Sequence, residues 1–222
     1  GMSEEHLVLT EFPLVVNPID LRLSGKPFIR NYRWEPERGL RFHVVEKNSG
    51  RLVRSVTADA TFAFHHVNAF ADGDGLAVDF IAYPDASAID QLYLARLRAS
   101  APVTATGKLT RFRVPLQSDA PATRRILVDA PIELPRINYE SHAGKLYRYL
   151  WGTGAKAEGD FLDCIVKIDV GTGQVTTWHV AGFYPGEQVF VSSPKMQAED
   201  DGVFILGAIK RSASTSSFAL TV

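Results

Sequence analysis

The chain has 222 residues, of which 45% are hydrophobic and 22% are charged, and its formal net charge is −1. This composition is that of a globular protein, and the near-zero charge without a Lys/Arg cluster excludes nucleic-acid binding. No apolar run is long enough to predict a transmembrane helix. A single cysteine, Cys164, excludes an internal disulfide and indicates a reducing compartment, so we expect a cytoplasmic protein.

Short apolar runs with period-two alternation follow one another along the whole chain and predict β-strands. The segment at residues 86–97, ASAIDQLYLARL, has a helical start, but its aromatic and β-branched residues favour a strand. We therefore predict an all-β protein. The predicted strands, in chain order, are HLVLTEFPLVV, LRFHVVEK, LVRSVT, GLAVDFIAY, QLYLARLR, KLTRFRVPL, RRILVDA, KLYRYLWG, FLDCIVKIDV, QVTTWHV, EQVFVSS, GVFILGAIK and SSFALTV.

A hairpin pattern recurs around Gly50, Gly107 and Gly173, at a spacing of roughly 60 residues. This period predicts β-propeller blades, and the strand count predicts about three to four four-stranded antiparallel blades, fewer than most closed propellers have. We interpret residues 1–222 as one partial β-propeller domain; a β-sandwich is the competing architecture. Open blade edges offer unpaired backbone groups, so we expect self-association.

The stretch FHHVNAF, at residues 64–70, places His65, His66 and Asn68 inside an apolar run. An unsatisfied polar group in such a run costs about 1–3 kcal/mol, so each of the three must have a partner. Adjacent residues of a strand point to opposite faces. We expect His66 to pack or to form a hydrogen bond on the face opposite His65, and Asn68 to hold a nearby backbone turn.

Four ordered motifs carry a resemblance to the carotenoid cleavage oxygenases, a family that includes bacterial lignostilbene dioxygenases and the retinoid isomerohydrolase of the eye. The motifs are FHHVNAF with the following LAVDFIAYPD, PIELPRINYESHAGKLYRYLWG, FLDCIVKIDVGTGQVTTWHV, and FYPGEQVFVSSPKMQAEDDGVFILGAIK. The resemblance implies a seven-bladed propeller in which four axial histidines hold one Fe(II). It also implies that Fe(II) and O₂ cleave a conjugated C=C bond of an apolar substrate into two carbonyl fragments.

The resemblance assigns the first histidine of the FHH stretch, His65, as an iron ligand. It assigns the glutamate of the YPGE stretch, Glu187, as the carboxylate that holds the other ring nitrogen of His65 and so fixes its tautomer. Glu133 and Arg136 are expected to organise contacts between blades. Trp34, Phe64, Trp151 and Tyr184 are expected either to line a substrate tunnel or to pack in the core. The remaining histidines, with no predicted chemistry, are His6, His43, His142 and His179.

The other ligand motifs of the family lie outside the region that this chain matches, which leaves one iron ligand of four. We therefore expect the isolated chain to bind no iron and to have no cleavage activity. Within the family, the composition favours a stilbene-type substrate over an apocarotenoid. The alternative hypothesis is a non-catalytic propeller that serves as a binding or interaction module. A hydrolase is not supported, because neither a G-x-S-x-G nor an H-E-x-x-H motif occurs.

Overall fold

A computed structural model of the protein describes residues 1–157, 161–210 and 214–221. Antiparallel strands dominate it. Their bounds are β1 His6–Glu11, β2 Leu14–Val16, β3 Tyr32–Trp34, β4 Leu40–Glu46, β5 Leu52–Ala58, β6 Phe62–Asp72, β7 Gly75–Tyr83, β8 Lys108–Pro115, β9 Thr123–Val128, β10 Glu133–Arg136, β11 Tyr149–Gly154, β12 Cys164–Asp169, β13 Gln174–His179, β14 Phe183–Ser192, β15 Gly202–Lys210 and β16 Ser214–Thr221.

The strands form four successive antiparallel sheets. We name them sheet A (β1, β4 and β5), sheet B (β6 to β9), sheet C (β10 to β13) and sheet D (β14 to β16); β2 and β3 form a separate hairpin. Within sheets B, C and D, neighbours in sequence are neighbours in space, as in propeller blades. The prediction of an all-β fold with three to four antiparallel blades is confirmed. Sheets A and D have three strands each in the described part of the chain, rather than the predicted four.

Sheet B lies between sheets A and C, and its strand β7 is covered on both faces. One face packs with Phe42 and Val44 of sheet A, and the other packs with Leu150 and Val166 of sheet C. This explains why the second strand of sheet B, GLAVDFIAY, is a nearly continuous apolar run: all of β7 except Ala82 is buried. A strand that is covered on both faces has no solvent side on which to place polar residues.

Sheet D is covered on one face only. Phe204 and Leu206 of β15 pack against Trp151 of sheet C and bury that face. Alternate residues on the opposite face are exposed, and four of them are large and aliphatic, with exposed fractions of 43% to 63%: Val189, Val191, Ile205 and Ile209. An apolar patch of this kind is typical of a surface that another element covers.

Two of the three predicted hairpin turns are confirmed. Gly50 joins β4 to β5 and Gly173 joins β12 to β13, with φ angles of 69° and 77°, which glycine adopts without the steric cost of a Cβ. The third glycine, Gly107, does not close a hairpin. It lies directly before β8, at the end of the long connection from β7.

That connection contains two short helices, so the strand predicted at QLYLARLR is wrong. The structure has α2 at Ser87–Gln91 and α3 at Leu94–Arg98. Leu, Ala and Arg are strong helix formers, which favours a helix over a strand for this segment. The other helices are α1 Pro18–Leu23 and α4 Tyr139–His142, with 3₁₀ turns at Phe28–Asn31 and Pro36–Arg38. In the part of the chain that the structure describes, no helix has the length and apolar character needed to cross a membrane.

Asn68 fixes the position of β6 against sheet C. Its side-chain amide donates to the carbonyl oxygens of His142 and Lys145, at 2.9 and 2.8 Å. Its side-chain oxygen accepts the N–H of Gly144 at 3.0 Å. All three bonds reach the turn that precedes β11, which confirms the expectation that Asn68 holds a backbone turn.

Candidate metal and substrate site

The two adjacent histidines lie at an irregular part of β6. The register between β6 and β7 shifts between Ala63 and His66, and again between His66 and Asn68. Such bulges reorient side chains and are frequent near functional sites. Here the irregularity places the two imidazoles in different surroundings.

His66 lies among the aromatic side chains between sheets A and B. Its Nε2 atom is 2.8 Å from the hydroxyl oxygen of Thr10, and its ring is 5.4 Å from the ring of Phe80, measured between centroids. Burial lowers the pKa of His66 to about 4, so the ring is neutral at pH 7. The expectation that His66 packs and forms a hydrogen bond is confirmed.

His65 points away from that core and forms a hydrogen bond with an acid. Its Nδ1 atom is 2.6 Å from Oε2 of Glu133, the first residue of β10. This hydrogen bond raises the pKa of His65 above its ordinary value, against the opposing effect of burial. With Nδ1 donating to the carboxylate, the neutral ring presents its lone pair at Nε2. In the described part of the chain Nε2 has no hydrogen-bond partner.

Glu133 is itself held by two further donors. Tyr83, the last residue of β7, donates its hydroxyl to Oε1 at 2.9 Å, and the N–H of Leu134 donates to Oε2 at 2.9 Å. Leu134 has a φ of 51°, a left-handed conformation that costs a residue with a Cβ about 1–2 kcal/mol. Leu134 thus combines a strained backbone conformation with an N–H group that donates to the carboxylate of the preceding residue.

The expected contact between Glu187 and His65 is wrong in this structure. Glu187 binds the guanidinium of Arg136 at 2.5 Å, and Arg136 also donates from Nε to the carbonyl oxygen of Gln188. Strand β10 packs against both β6 and β14. An acid on β10 therefore reaches His65 directly, whereas the acid on β14 meets Arg136. Glu187 still lies close enough to contribute to the raised pKa of His65 through its charge.

The sequence carries a signal for the buried position of Glu133. Glu133 stands between Ile132 and Leu134 in the run PIELP, and an acid in such a run requires buried donors. In the structure it is only 7% exposed. Like the histidines of FHHVNAF, this glutamate is therefore expected to have hydrogen-bond partners in the interior.

A cavity of about 240 Å³ opens beside His65 and Glu133. Its lining is mostly apolar and comes from β6, β10, the connection between β7 and β8, and residues that follow β11. The apolar and aromatic lining residues include Phe64, Leu92, Val103, Ile132, Leu134 and Phe161. The cavity is smaller than the roughly 300–1,000 Å³ of most ligand sites, so by itself it has room for a small molecule or for one end of a larger one.

The four aromatic residues considered for a tunnel are dispersed. Phe64 lines the cavity beside His65. Trp34 lines a different cavity, of about 520 Å³, next to β2 and β3. Trp151 is fully buried and stacks on Phe190 between sheets C and D. Tyr184 contacts the ring of Phe161, at 6.4 Å between centroids.

The described residues contain no group of three or more His, Cys, Asp or Glu side chains that could hold a metal ion. The histidines expected to have no chemistry are dispersed, and three of them lie within reach of acids: His43 with Glu11, His142 with Glu199 and His179 with Asp163. Among the described histidines, His65 combines a hydrogen bond to a carboxylate with a second ring nitrogen that has no hydrogen-bond partner. A single imidazole does not complete an iron site.

Comparison with known proteins identifies the family. The model of the retinal pigment epithelial membrane protein family matches residues 1–221. The chain belongs to this family. The resemblance to carotenoid cleavage oxygenases is thereby confirmed, and the curated relatives that match this chain include a carotenoid isomerooxygenase and a carotenoid cleavage dioxygenase.

Two curated relatives illustrate the similarity. The carotenoid isomerooxygenase of Galleria mellonella is 29% identical over 215 residues, covering 92% of this chain and 42% of the relative. The chloroplastic carotenoid cleavage dioxygenase 8 of Arabidopsis thaliana is 31% identical over 235 residues, covering 99% of this chain and 41% of the relative. The chain thus spans less than half the length of these relatives.

A solved structure confirms the fold. The cobalt-substituted apocarotenoid oxygenase of Synechocystis superposes with a TM-score of 0.84 at 20% sequence identity. The match covers 100% of this chain and 49% of that enzyme. The four sheets are therefore blades of the β-propeller of this family, and the chain corresponds to about half of one such propeller.

Proposed function

We propose that the chain forms one part of a non-haem Fe(II) dioxygenase that cleaves a conjugated C=C bond of an apolar substrate with O₂. The observation that supports this most is the hydrogen bond from His65 Nδ1 to Glu133 at the wall of an apolar cavity. A carboxylate behind an imidazole orients the ring and increases its basicity as a metal ligand. The proposal makes residues 1–222 a single partial propeller domain.

In this proposal His65 donates its Nε2 lone pair to the iron, and Glu133 keeps the ring in the required tautomer. The remaining ligands come from outside the described residues. The iron would supply the binding of O₂. The cavity wall, which includes Phe64 and Leu134, would exclude water and hold a flat apolar segment of the substrate beside the metal.

The substrate class is a stilbene-type or apocarotenoid olefin. Relatives that match this chain are named as carotenoid-cleaving dioxygenases, which supports the apocarotenoid. The small cavity accepts a rigid aromatic olefin as readily as a polyene end. We also propose a cytoplasmic location, which the single cysteine supports.

The test uses the longest natural reading frame that contains this segment, with the 222-residue chain in parallel. Iron is measured by elemental analysis, and cleavage of resveratrol and of an apocarotenal is followed by chromatography. We expect His65→Ala to remove the iron and the activity of the longer protein. The matched variant His66→Ala should keep most of the iron. Full iron content in His65→Ala would contradict the proposal.

For the isolated chain we propose no stable Fe(II) binding and no cleavage, because one imidazole cannot define the geometry that Fe(II) requires. Iron present at one atom per chain would contradict this. We further propose that the chain self-associates through the exposed face of sheet D, where Val189 and Ile205 form a cross-strand pair. Light scattering of Val189→Lys with Ile205→Lys should show a smaller species than the unmodified chain, and an unchanged mass would contradict it.

A further inference from the structure

Tyr83 stands behind the carboxylate that holds His65. Its hydroxyl donates to Oε1 of Glu133 at 2.9 Å, while Oε2 of the same carboxylate is 2.6 Å from His65 Nδ1. Tyr83 is 6% exposed and Glu133 is 7% exposed, so water has little access to either group. Hydrogen bonds thus connect the three side chains, from the phenol to the carboxylate and from the carboxylate to the imidazole.

We propose that Tyr83 is a positioning residue for His65, which acts by fixing the rotation of the Glu133 carboxylate. This rests on the proposed function, in which His65 ligates the metal. The terminal torsion of a glutamate has a broad, two-fold energy profile, so a carboxylate held on one side only can rotate. With Tyr83 on Oε1 and the Leu134 N–H on Oε2, each oxygen has its own donor. The oxygen that faces His65 therefore stays in place.

The ring of Tyr83 is packed closely on two sides, and one of these contacts requires a glycine. A Cβ at Gly107 would lie 2.9 Å from two ring atoms of Tyr83 and 2.3 Å from Ile81, so only glycine allows this close approach. On another side the ring meets Phe64 edge-on at 5.5 Å between centroids. Gly107, which does not close a hairpin, thus leaves room for both Ile81 and Tyr83.

The phenol stays a donor over a wide pH range. Burial, followed by the charge of Glu133 and the hydrogen bond to it, raises the pKa of Tyr83 well above its ordinary value of 10.0. A protonated hydroxyl beside a carboxylate oxygen can only donate to it. The direction of the hydrogen bond from Tyr83 to Glu133 is therefore fixed.

The test is Tyr83→Phe, which keeps the ring and removes the hydroxyl. The ¹⁵N-labelled chain is studied at pH 8 without metal, and the His65 ring signals are assigned by their loss in His65→Gln. In the unmodified chain we expect the Nδ1–H tautomer with a slowly exchanging proton. In Tyr83→Phe we expect a mixture of tautomers and roughly five-fold faster exchange of that proton, as for the loss of one hydrogen bond.

Tyr147→Phe is the matched control. Tyr147 also donates its hydroxyl to a buried carboxylate, that of Asp79, at 2.7 Å, so its loss destabilises the fold without contact to Glu133. We expect its His65 signals to equal those of the unmodified chain. A general loosening of the fold would change the His65 signals in both variants.

The outcomes separate this inference from the proposed function. If the unmodified chain shows the Nδ1–H tautomer and Tyr83→Phe leaves tautomer and exchange unchanged, Tyr83 only packs and this inference fails, while the metal role of His65 stands. An Nε2–H tautomer in the unmodified chain overturns the inference without requiring any variant to fold. The iron content of His65→Ala tests the proposed function independently.

Discussion

His65 and His66 are neighbours in sequence, but their rings lie in opposite environments. His66 lies among aromatic rings between sheets A and B, where burial lowers its pKa to about 4. His65 faces a cavity and a carboxylate, and the hydrogen bond to Glu133 raises its pKa. The difference between the two rings arises from what lies on either side of β6. Phe12, which directly follows β1 of sheet A, is a ring neighbour of His66, whereas sheet C supplies Glu133 to His65.

The comparison shows that residue type alone does not give a histidine the surroundings that a metal ligand requires. Both rings have one nitrogen within hydrogen-bond distance of a neighbouring side chain. Only His65 combines a charged partner behind the ring with a free nitrogen on the cavity side. His66 offers its Nε2 to Thr10 instead.

The largest effect is expected when the acid behind His65 is removed. Glu133→Ala deletes a buried carboxylate and leaves the hydroxyl of Tyr83 without its acceptor, so we expect a loss of about 3 kcal/mol in the free energy of unfolding. Glu187→Ala, at an exposed ion pair, should cost less than about 1 kcal/mol. Urea denaturation of both variants measures the difference. Equal losses would show that Glu133 has no special structural role beside His65.

A pH experiment tests the His66 side of the comparison. Between pH 6.5 and 4 the unfolded chain binds a proton at His66 that the folded chain does not, so this residue makes stability fall as the pH falls. Partial exposure of the ring limits the loss to about 2 kcal/mol. His66→Leu should remove this part of the acid sensitivity. The measurement is the urea midpoint at pH 7 and pH 4.5, and an unchanged difference between the two midpoints would show that His66 is not the group responsible.

The smallest effect concerns the backbone beside Glu133. Leu134 adopts a φ of 51°, so glycine fits this position better than alanine does. We expect Leu134→Gly to be more stable than Leu134→Ala by about 1 kcal/mol, the reverse of the order found in helices and strands. Thermal unfolding of the two variants gives the comparison. Alanine proving the more stable of the two would mean that the turn at Leu134 carries no strain.

The sequence predicted the blades well, because burial on both faces leaves an apolar signature in strands such as β7. It also predicted that His66 packs or forms a hydrogen bond and that Asn68 holds a backbone turn, since a polar group inside an apolar run needs a hydrogen-bond partner. The helices α2 and α3 were missed because five-residue helices are too short to show a 3.6-residue period.

The partner of His65 was assigned to the wrong acid because pairing depends on which strands meet in space. Glu133 and Glu187 both lie in family motifs, and one sequence does not show that β10 stands between β6 and β14. In the structure Glu187 forms an ion pair with Arg136 instead of a hydrogen bond with His65. Tyr83 was missed for a related reason, since a tyrosine that ends an apolar strand shows nothing of the carboxylate that its hydroxyl meets.

The three bonds from Asn68 to the turn at residues 142–145 have a consequence for protein engineering. Anyone who transplants the imidazole–carboxylate pair into a new scaffold must bring that turn as well. Without that turn, the strand that carries the histidine can shift by one residue. The ring then lies out of hydrogen-bonding distance of the carboxylate, even when both side chains are present.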